Sequence, residues 1–213
     1  MEDAELYQKS NSLQRRDAIQ CLETYARKIK WRKSDRVIDI GCGDGGVSDI
    51  LKTYMPVNSN LLGCDISEKM IDFANINHGD ERTEFIVLDI EGKLPYALRE
   101  NFDHAFSFYT LHWIKNQETA FRNIYKLLAE NGDCLLMFLG HMPIFDVYRR
   151  LARKSKWGAW LRDVDRYVSP YHDSQVYFYF SEAVAAINPF NIPKDLFEEF
   201  MEDYIEVISN MRM

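Results

Sequence analysis

From Arg36 onward, short apolar runs alternate with stretches in which apolar positions recur every three or four residues. That alternation predicts strands joined by helices, the βαβ rhythm of a parallel sheet. The first run, Arg36–Ile40, leads into GCGDGG, after which Val47, Ile50, Leu51 and Tyr54 share one helical face. The second, residues 60–64, ends at Asp65 and is followed by a helix over about 67–77, with Met70, Ile71 and Ala74 inside and Ser67 as its N-cap. The third, residues 84–88, ends at Asp89; the fourth covers 104–109 and the fifth 134–139, with a helix carrying Phe121, Ile124, Tyr125 and Leu128 between them. Upstream, Ala18, Leu22, Tyr25, Ala26 and Ile29 mark a helix over about 14–30. Strands this apolar are buried on both faces, and ligands of such sheets bind beyond the strands' carboxyl ends. The predicted fold is α/β, Rossmann-like and doubly wound.

Composition narrows the function classes. The 213 residues fit one domain with a small appendage, and 46% hydrophobic with 28% charged residues is a folded globular balance. The 33 acidic residues outnumber 26 scattered basic ones, which argues against nucleic acid. No apolar run approaches the roughly 20 residues that span a bilayer. The opening MEDAELYQKS is acidic where a secretion signal would be basic and then apolar, so a cytoplasmic, membrane-free protein is expected. Cys21, Cys42, Cys64 and Cys134 fall at wide, irregular spacings without a C-x-x-C pair, so no metal site or disulfide framework is expected.

Gly41, Gly43 and Gly46 satisfy G-x-G-x-x-G, and Asp65 follows at the distance of about 20 residues usual for a dinucleotide site. A diphosphate, however, wants backbone N–H groups free of competing anions. Here Asp39 ends the strand and Asp44 sits in the loop. Two carboxylates suit a ligand bearing an ammonium and a sulfonium, as S-adenosylmethionine does. Asp65 can then accept from ribose hydroxyls, Met70 pack on adenine, and Asp89 accept from the adenine amino group beside the Ile90 backbone. For each acid taken alone, helix capping or solvation is the alternative. Their recurrence at successive strand ends, with the glycine loop, favours the cofactor.

VIDIGCGDG, GCDIS, VLDIEG and FSFYTLHWI resemble the successive motifs of class I S-adenosylmethionine-dependent methyltransferases over roughly residues 36–141. More narrowly, AELYQKSNSLQRRDA, SFYTLHWIKNQ, FLGHMPIFDVYR and AINPFNIP are similar to the insect juvenile hormone acid O-methyltransferases. The resemblance implies methyl transfer from S-adenosylmethionine to the carboxylate of juvenile hormone acid or farnesoic acid, in juvenile hormone biosynthesis. It implies that Gln14 and Trp113 bind that carboxylate. The expected cofactor site is Asp39, Gly41, Cys42, Gly43, Asp65, Ile66, Met70, Asp89, Ile90 and Phe108. His112 tempts as a general base, but a carboxylate is already ionised at pH 7, so a structural or secondary donor role is the expectation.

Phe145, Tyr148, Leu151, Trp157, Trp160, Leu161 and Tyr167 follow the fifth strand in a helical pattern that reads as a lid with aromatic faces. Core packing is the alternative for each; together they predict an apolar pocket, with Phe145, Tyr148, Trp157 and His112 in its wall. The expected division is a cofactor-binding domain over 1–141 and a lid with a shortened C-terminal region over 142–213. Residues 176–180 (VYFYF) are the one obvious late strand, and Leu196, Phe197, Phe200, Met201, Tyr204, Ile205 and Ile208 mark an amphipathic helix. Against the family, the chain jumps from SPYHDSQ toward AINPFN and stops before the terminal strand, leaving the sheet incomplete. A small terpenoid acid is the expected partner, with a homodimer kept open. Two other readings stand beside the methyltransferase. One is an NAD-dependent oxidoreductase, for which Y-x-x-x-K after the fourth strand is lacking; the other is a catalytically impaired shortened relative that binds its ligands without turnover.

Overall fold

A computed structural model of the protein describes residues 4–139 and 142–169. The five apolar runs form one parallel sheet: β1 Arg36–Ile40, β2 Asn60–Asp65, β3 Thr83–Val87, β4 Phe102–Phe108 and β5 Leu128–Met137, in the order β3-β2-β1-β4-β5. Helices α1 Ala4–Ser10, α2 Ser12–Tyr25, α3 Gly46–Lys52, α4 Glu68–His78 and α5 Gln117–Leu127 accompany it. Side-chain alternation along the strands builds two cores. On one, Val37, Leu61, Phe106 and Phe108 meet Ala18 and Leu22 of α2 and Leu51 of α3. On the other, Ile38, Ile40 and Ala105 meet Ala120, Ile124 and Leu127 of α5. Burial on both faces is why β4 is buried along its whole length and reads as a continuous apolar run.

From β1 the chain winds outward through β2 to β3, then returns to the other side of β1 for β4 and β5. The strand order reverses between β1 and β4, and ligands of open α/β sheets bind at such a switch point, beyond the carboxyl ends of the strands. The opposite end is closed by charge: the His104 ring lies between Asp133 on β5 (2.5 Å) and the fully buried Asp35 just before β1 (3.3 Å).

The elements match the periodicity with three differences. α1 was not expected, because seven mostly polar residues carry no periodic apolar signal. The predicted 14–30 helix starts two residues earlier, at Ser12, and gives way to a 3₁₀ turn over Ala26–Lys28. β5 begins directly after α5 at Leu128 rather than at Cys134. Asn131-Gly132 looks like a turn, but Asn131 takes φ +62° and forms an irregularity: Phe102 pairs with Leu128 while His104, two residues on, pairs with Asp133.

The chain separates into two compact units, with the division between Phe138 and Leu139. In the second unit, Pro143 opens α6, Pro143–Ala152, whose Ile144, Phe145, Val147, Tyr148 and Leu151 are buried. Trp157 and Leu161 are buried in the turns that follow, and Arg149 on α6 pairs with Asp165 at 3.2 Å. The predicted strand over 176–180 and the helix through 196–208 lie outside the described residues.

Candidate active site

The glycine loop is shaped by backbone handedness. Gly41, Gly43 and Gly45 take φ of +74°, +56° and +81°, the left-handed region that L side chains rarely adopt. Its N–H groups are already used within the protein. Gly41 and Cys42 both donate to the Cys64 carbonyl (2.7 and 2.9 Å), Gly43 to Asp65 Oδ2 (3.1 Å), Gly45 to the Cys42 carbonyl (3.1 Å) and Gly46 to Asp44 Oδ1 (3.1 Å). A diphosphate cradle needs such donors aimed at the ligand. This loop instead gathers carboxylates.

Asp39 is enclosed behind the loop, where Ser48 on α3 donates to it at 2.6 Å. Burial, with the neighbouring charge of Asp65, pushes its carboxyl up to about 6 against the help of Ser48. Asp65, at the end of β2, is half-buried and accepts from the Gly43 and Ser67 N–H groups (3.1 and 2.9 Å), which fixes its carboxylate between the loop and the start of α4. Ser67 caps α4 as predicted. Met70 is buried at 2% exposure and fills the core, whereas Ile66 is 70% exposed, so Ile66 supplies the open apolar surface next to Asp65. Asp89 is exposed and accepts the Glu91 N–H at 2.9 Å; Ile90 is buried. Asn123 of α5 fastens that turn by donating to the carbonyls of Ile90 and Gly92. Cys42 is buried beneath the loop and Phe108 lies in the core against Phe106.

The segment after β4 closes onto the loop and onto α2. Thr110 Oγ1 donates to the Gly41 carbonyl at 3.1 Å. Tyr109 takes φ +58°, a strained value for a non-glycine residue, and its hydroxyl donates to Asp17 of α2. Gln14 is one turn before Asp17 on the same helical face. Gln14 is half-buried, and its Oε1 is shielded from solvent without a hydrogen-bond partner. Trp113, on the 3₁₀ turn Leu111–Trp113, is 48% exposed, and the buried His112 ring lies 4.9 Å from it. Phe145 and Tyr148 share the buried face of α6 in the second unit, where Trp157 is also buried.

Sequence reasoning missed the N-terminal strap. Asn11, almost fully buried, donates to Asp44 at 3.0 Å, so Asp44 ties α1 and α2 to the loop. Tyr7 lies against Gly43, 3.6 Å from where a Cβ there would stand, and burial together with Asp44 and Asp65 raises its phenol. No periodic signal marked it, because α1 and α2 are separate helices broken at Asn11 and their polar residues read as solvated faces.

Burial pulls the His112 imidazole down to about 4 from 6.5, so it is neutral at physiological pH. Between those values the unfolded chain binds a proton that the native state does not, so this contribution is lost as pH falls from 6.5 toward 4. Asp39 works oppositely. Its raised carboxyl removes stability as pH climbs from 3.8 through 6. Each effect amounts to about 3 kcal/mol, so the two largely offset each other in wild type. His112→Asn removes one of them. The melting temperature of wild type minus that of the variant should rise between pH 4.5 and 7; a constant difference would show that His112 is not held neutral.

Among the described residues there is no cluster of metal-ligating side chains and no helix long and apolar enough to cross a membrane. The Methyltransferase domain family matches residues 38–136. Juvenile hormone acid O-methyltransferase of Bombyx mori is 56% identical over 245 residues, covering all of this chain and 88% of the relative. The Drosophila melanogaster protein of that name is 37% identical over 251 residues, covering all of this chain and 84% of the relative. The alignment with the Bombyx relative spans 245 positions and takes in all 213 residues here, so at least 32 of its positions have no counterpart in this sequence. A putative S-adenosyl-L-methionine-dependent methyltransferase from Methanococcus maripaludis superposes with TM-score 0.55 at 20% identity, covering 77% of this chain and 79% of its own, and it shares the fold. With identity of this order along its whole length, and with the class I methyltransferase sheet, the chain belongs to the juvenile hormone acid O-methyltransferase family.

Proposed function

We propose that the protein transfers a methyl group from S-adenosylmethionine to the carboxylate of juvenile hormone acid or farnesoic acid, forming the methyl ester. The full-length identity to the Bombyx mori relative carries this reading. The site chemistry agrees with it: carboxylates rather than open N–H groups surround the glycine loop, which fits a ligand with an ammonium and a sulfonium. Asp65 takes the ribose hydroxyls, with Gly41, Cys42 and Gly43 along the methionyl part and Ile66 and the Asp89–Ile90 turn along the adenine. Asp39 contributes negative charge from behind the loop, and Met70 and Phe108 support the site from the core. When bound, S-adenosylmethionine supplies an electrophilic methyl whose sulfur leaves as a neutral thioether.

This chain's residues have only to hold the acid. A carboxylic acid with a pKa near 4 to 5 is ionised at pH 7, so no proton has to be removed. One carboxylate oxygen must sit in line with the methyl at about 3 to 3.5 Å, partly stripped of water. Neutral donors do this without quenching the nucleophile. Trp113 has its indole N–H. The Gln14 amide can turn its NH₂ toward the shielded position that lacks a protein partner, because the amide is nearly symmetric in shape. His112, neutral, completes the wall. Phe145, Tyr148 and Trp157 are the apolar residues assigned to the isoprenoid, with residues 1–141 read as the cofactor-binding domain and 142–213 as the lid and shortened C-terminal region. The protein is read as cytoplasmic, and a homodimer is the one protein partner included.

An isotope-labelled methyl donor should label farnesoic or juvenile hormone acid as a base-labile ester. Gln14→Ala and Trp113→Phe should each lower kcat/KM for the acid about 10-fold while cofactor affinity stays within 2-fold, about one hydrogen bond to a charged group in each case. Full activity in both variants rules out the carboxylate assignment. The second reading, a relative that binds without turnover, is favoured by the 32 or more positions of the Bombyx alignment that have no counterpart here. Cofactor binding with no labelled ester would select it.

A further inference from the structure

The two residues assigned to the acid stand on different elements, Gln14 on α2 and Trp113 on the 3₁₀ turn after β4, and one contact ties those elements together. Phe106 and Phe108 pack from β4 against Ala18 and Leu22 of α2. Side chains alternate along a strand, so an extended Tyr109 would point to the other face of the sheet. Its φ of +58° breaks the alternation, and its hydroxyl reaches Asp17 of α2. A tyrosine persists in that conformation only where its contacts hold it. The Tyr109 N–H donates to the Met137 carbonyl of β5 at 2.9 Å, so the backbone is anchored in the sheet while the side chain extends to the helix. Burial and the Asp17 carboxylate raise the phenol, so the hydroxyl keeps its proton and donates. Asp17 is buried, and its other oxygen accepts from Arg16 at 2.8 Å. The Tyr109 and His112 rings meet edge to face with centroids 6.1 Å apart, and the His112 ring lies 4.9 Å from that of Trp113. Gln14 and Asp17 share one helical face a turn apart. The path from Gln14 to Trp113 therefore runs through Asp17, Tyr109 and His112.

Resting on the carboxylate assignment above, we propose that Tyr109 and Asp17 are positioning residues, a clasp that sets the Gln14 amide against the Trp113 indole so that both reach one carboxylate. Tyr109→Phe removes only the hydroxyl. With farnesoic acid and labelled S-adenosylmethionine on the full chain, it should lower kcat/KM about 10-fold, most of it in kcat, because a misaimed carboxylate loses its in-line approach. Cofactor affinity by calorimetry should stay within 2-fold. In a Gln14→Ala background the same change should cost about 3-fold or less, since α2 then carries no donor to misplace. Asp17→Asn, whose amide oxygen can still accept the hydroxyl, should recover most of the kcat/KM that Asp17→Ala loses. If a melting curve shows Asp17→Ala unfolded, the cycle between Tyr109→Phe and Gln14→Ala decides alone. Independent losses that multiply in the double variant, a matching loss of cofactor affinity, or full activity in Tyr109→Phe would overturn the clasp while leaving Gln14 and Trp113 in place. Full activity in both Gln14→Ala and Trp113→Phe would instead remove the carboxylate assignment, and this inference with it.

Discussion

Gly41→Ala should destabilise the protein by about 2 to 4 kcal/mol and lower its melting temperature by roughly 10 °C, the largest effect expected of a single methyl group here. Two costs combine. At φ +74° any L side chain meets its own backbone, for about 1 to 2 kcal/mol. The new methyl would also stand 2.5 Å from Thr110 Cβ and closer still to Oγ1 and Cγ2, an overpacking that costs about 1 to 3 kcal/mol more. The reduced freedom of the unfolded chain returns only about half a kcal/mol. Because Cβ itself is in the way, Thr110→Ala should not rescue the variant. Gly43→Ala is the control. Its φ is +56°, but the nearest atom to the new methyl is Tyr7 Cε1 at 3.6 Å, so only the conformational cost applies. For a chain of this size, about 2 to 4 °C per kcal/mol separates the two in a melting curve. Equal shifts would mean that the contact between the β1 loop and the β4 segment is not tight.

Asp65→Ala should weaken S-adenosylmethionine binding at least 100-fold, measured by calorimetry, with no turnover at ordinary cofactor concentrations. Two losses again combine. The carboxylate assigned to the ribose is removed, worth about 1.5 to 3 kcal/mol in charge-assisted hydrogen bonds. The Gly43 and Ser67 N–H groups lose their acceptor at the same time, so the loop and the start of α4 are no longer held in register. Asp65→Asn separates these contributions. Its amide oxygen can still accept from one N–H, so the fold should be spared while affinity falls about 10-fold. Unchanged affinity in both variants would remove Asp65 from the cofactor site. Asp39→Asn should behave differently, acting on stability through Ser48 behind the loop.

Much of the geometry around the glycine loop was legible because it is local. Gly41, Gly43 and Asp65 are read from spacing, since a strand that turns sharply into a helix needs glycine where φ is positive, and the carboxyl end of β2 comes next to that turn in any parallel sheet. Met70 and Ile66 were both assigned to the cofactor; Met70 is 2% exposed and Ile66 70%, a difference that periodicity does not give because it marks apolar positions and not how far each opens to a ligand. Tyr7, Asn11, Asp17 and Tyr109 were not found, and each acts across a long sequence separation. Asn11 reaches Asp44 across 33 residues and Tyr109 reaches Asp17 across 92. A polar residue in a polar helix carries no mark of such a partner.

What the sequence determined by itself is the sheet. Apolar runs of strand length between helical periods leave few ways to bury both kinds of element, and parallel strands covered on both faces satisfy them all. It also determined the glycines at 41 and 43, though not that Gly45 rather than Gly46 takes the third left-handed turn, and, through motifs along the chain, the family. The tertiary structure decided which polar groups meet. It brought α2 against the segment after β4 through Asp17 and Tyr109, left Gln14 Oε1 shielded without a partner, and carried Arg15 to the start of α3. The physical reason is range. Backbone preference and burial act on neighbouring residues and leave a periodic trace, whereas a hydrogen bond or an unmatched charge depends on atoms that only folding brings within about 3 Å.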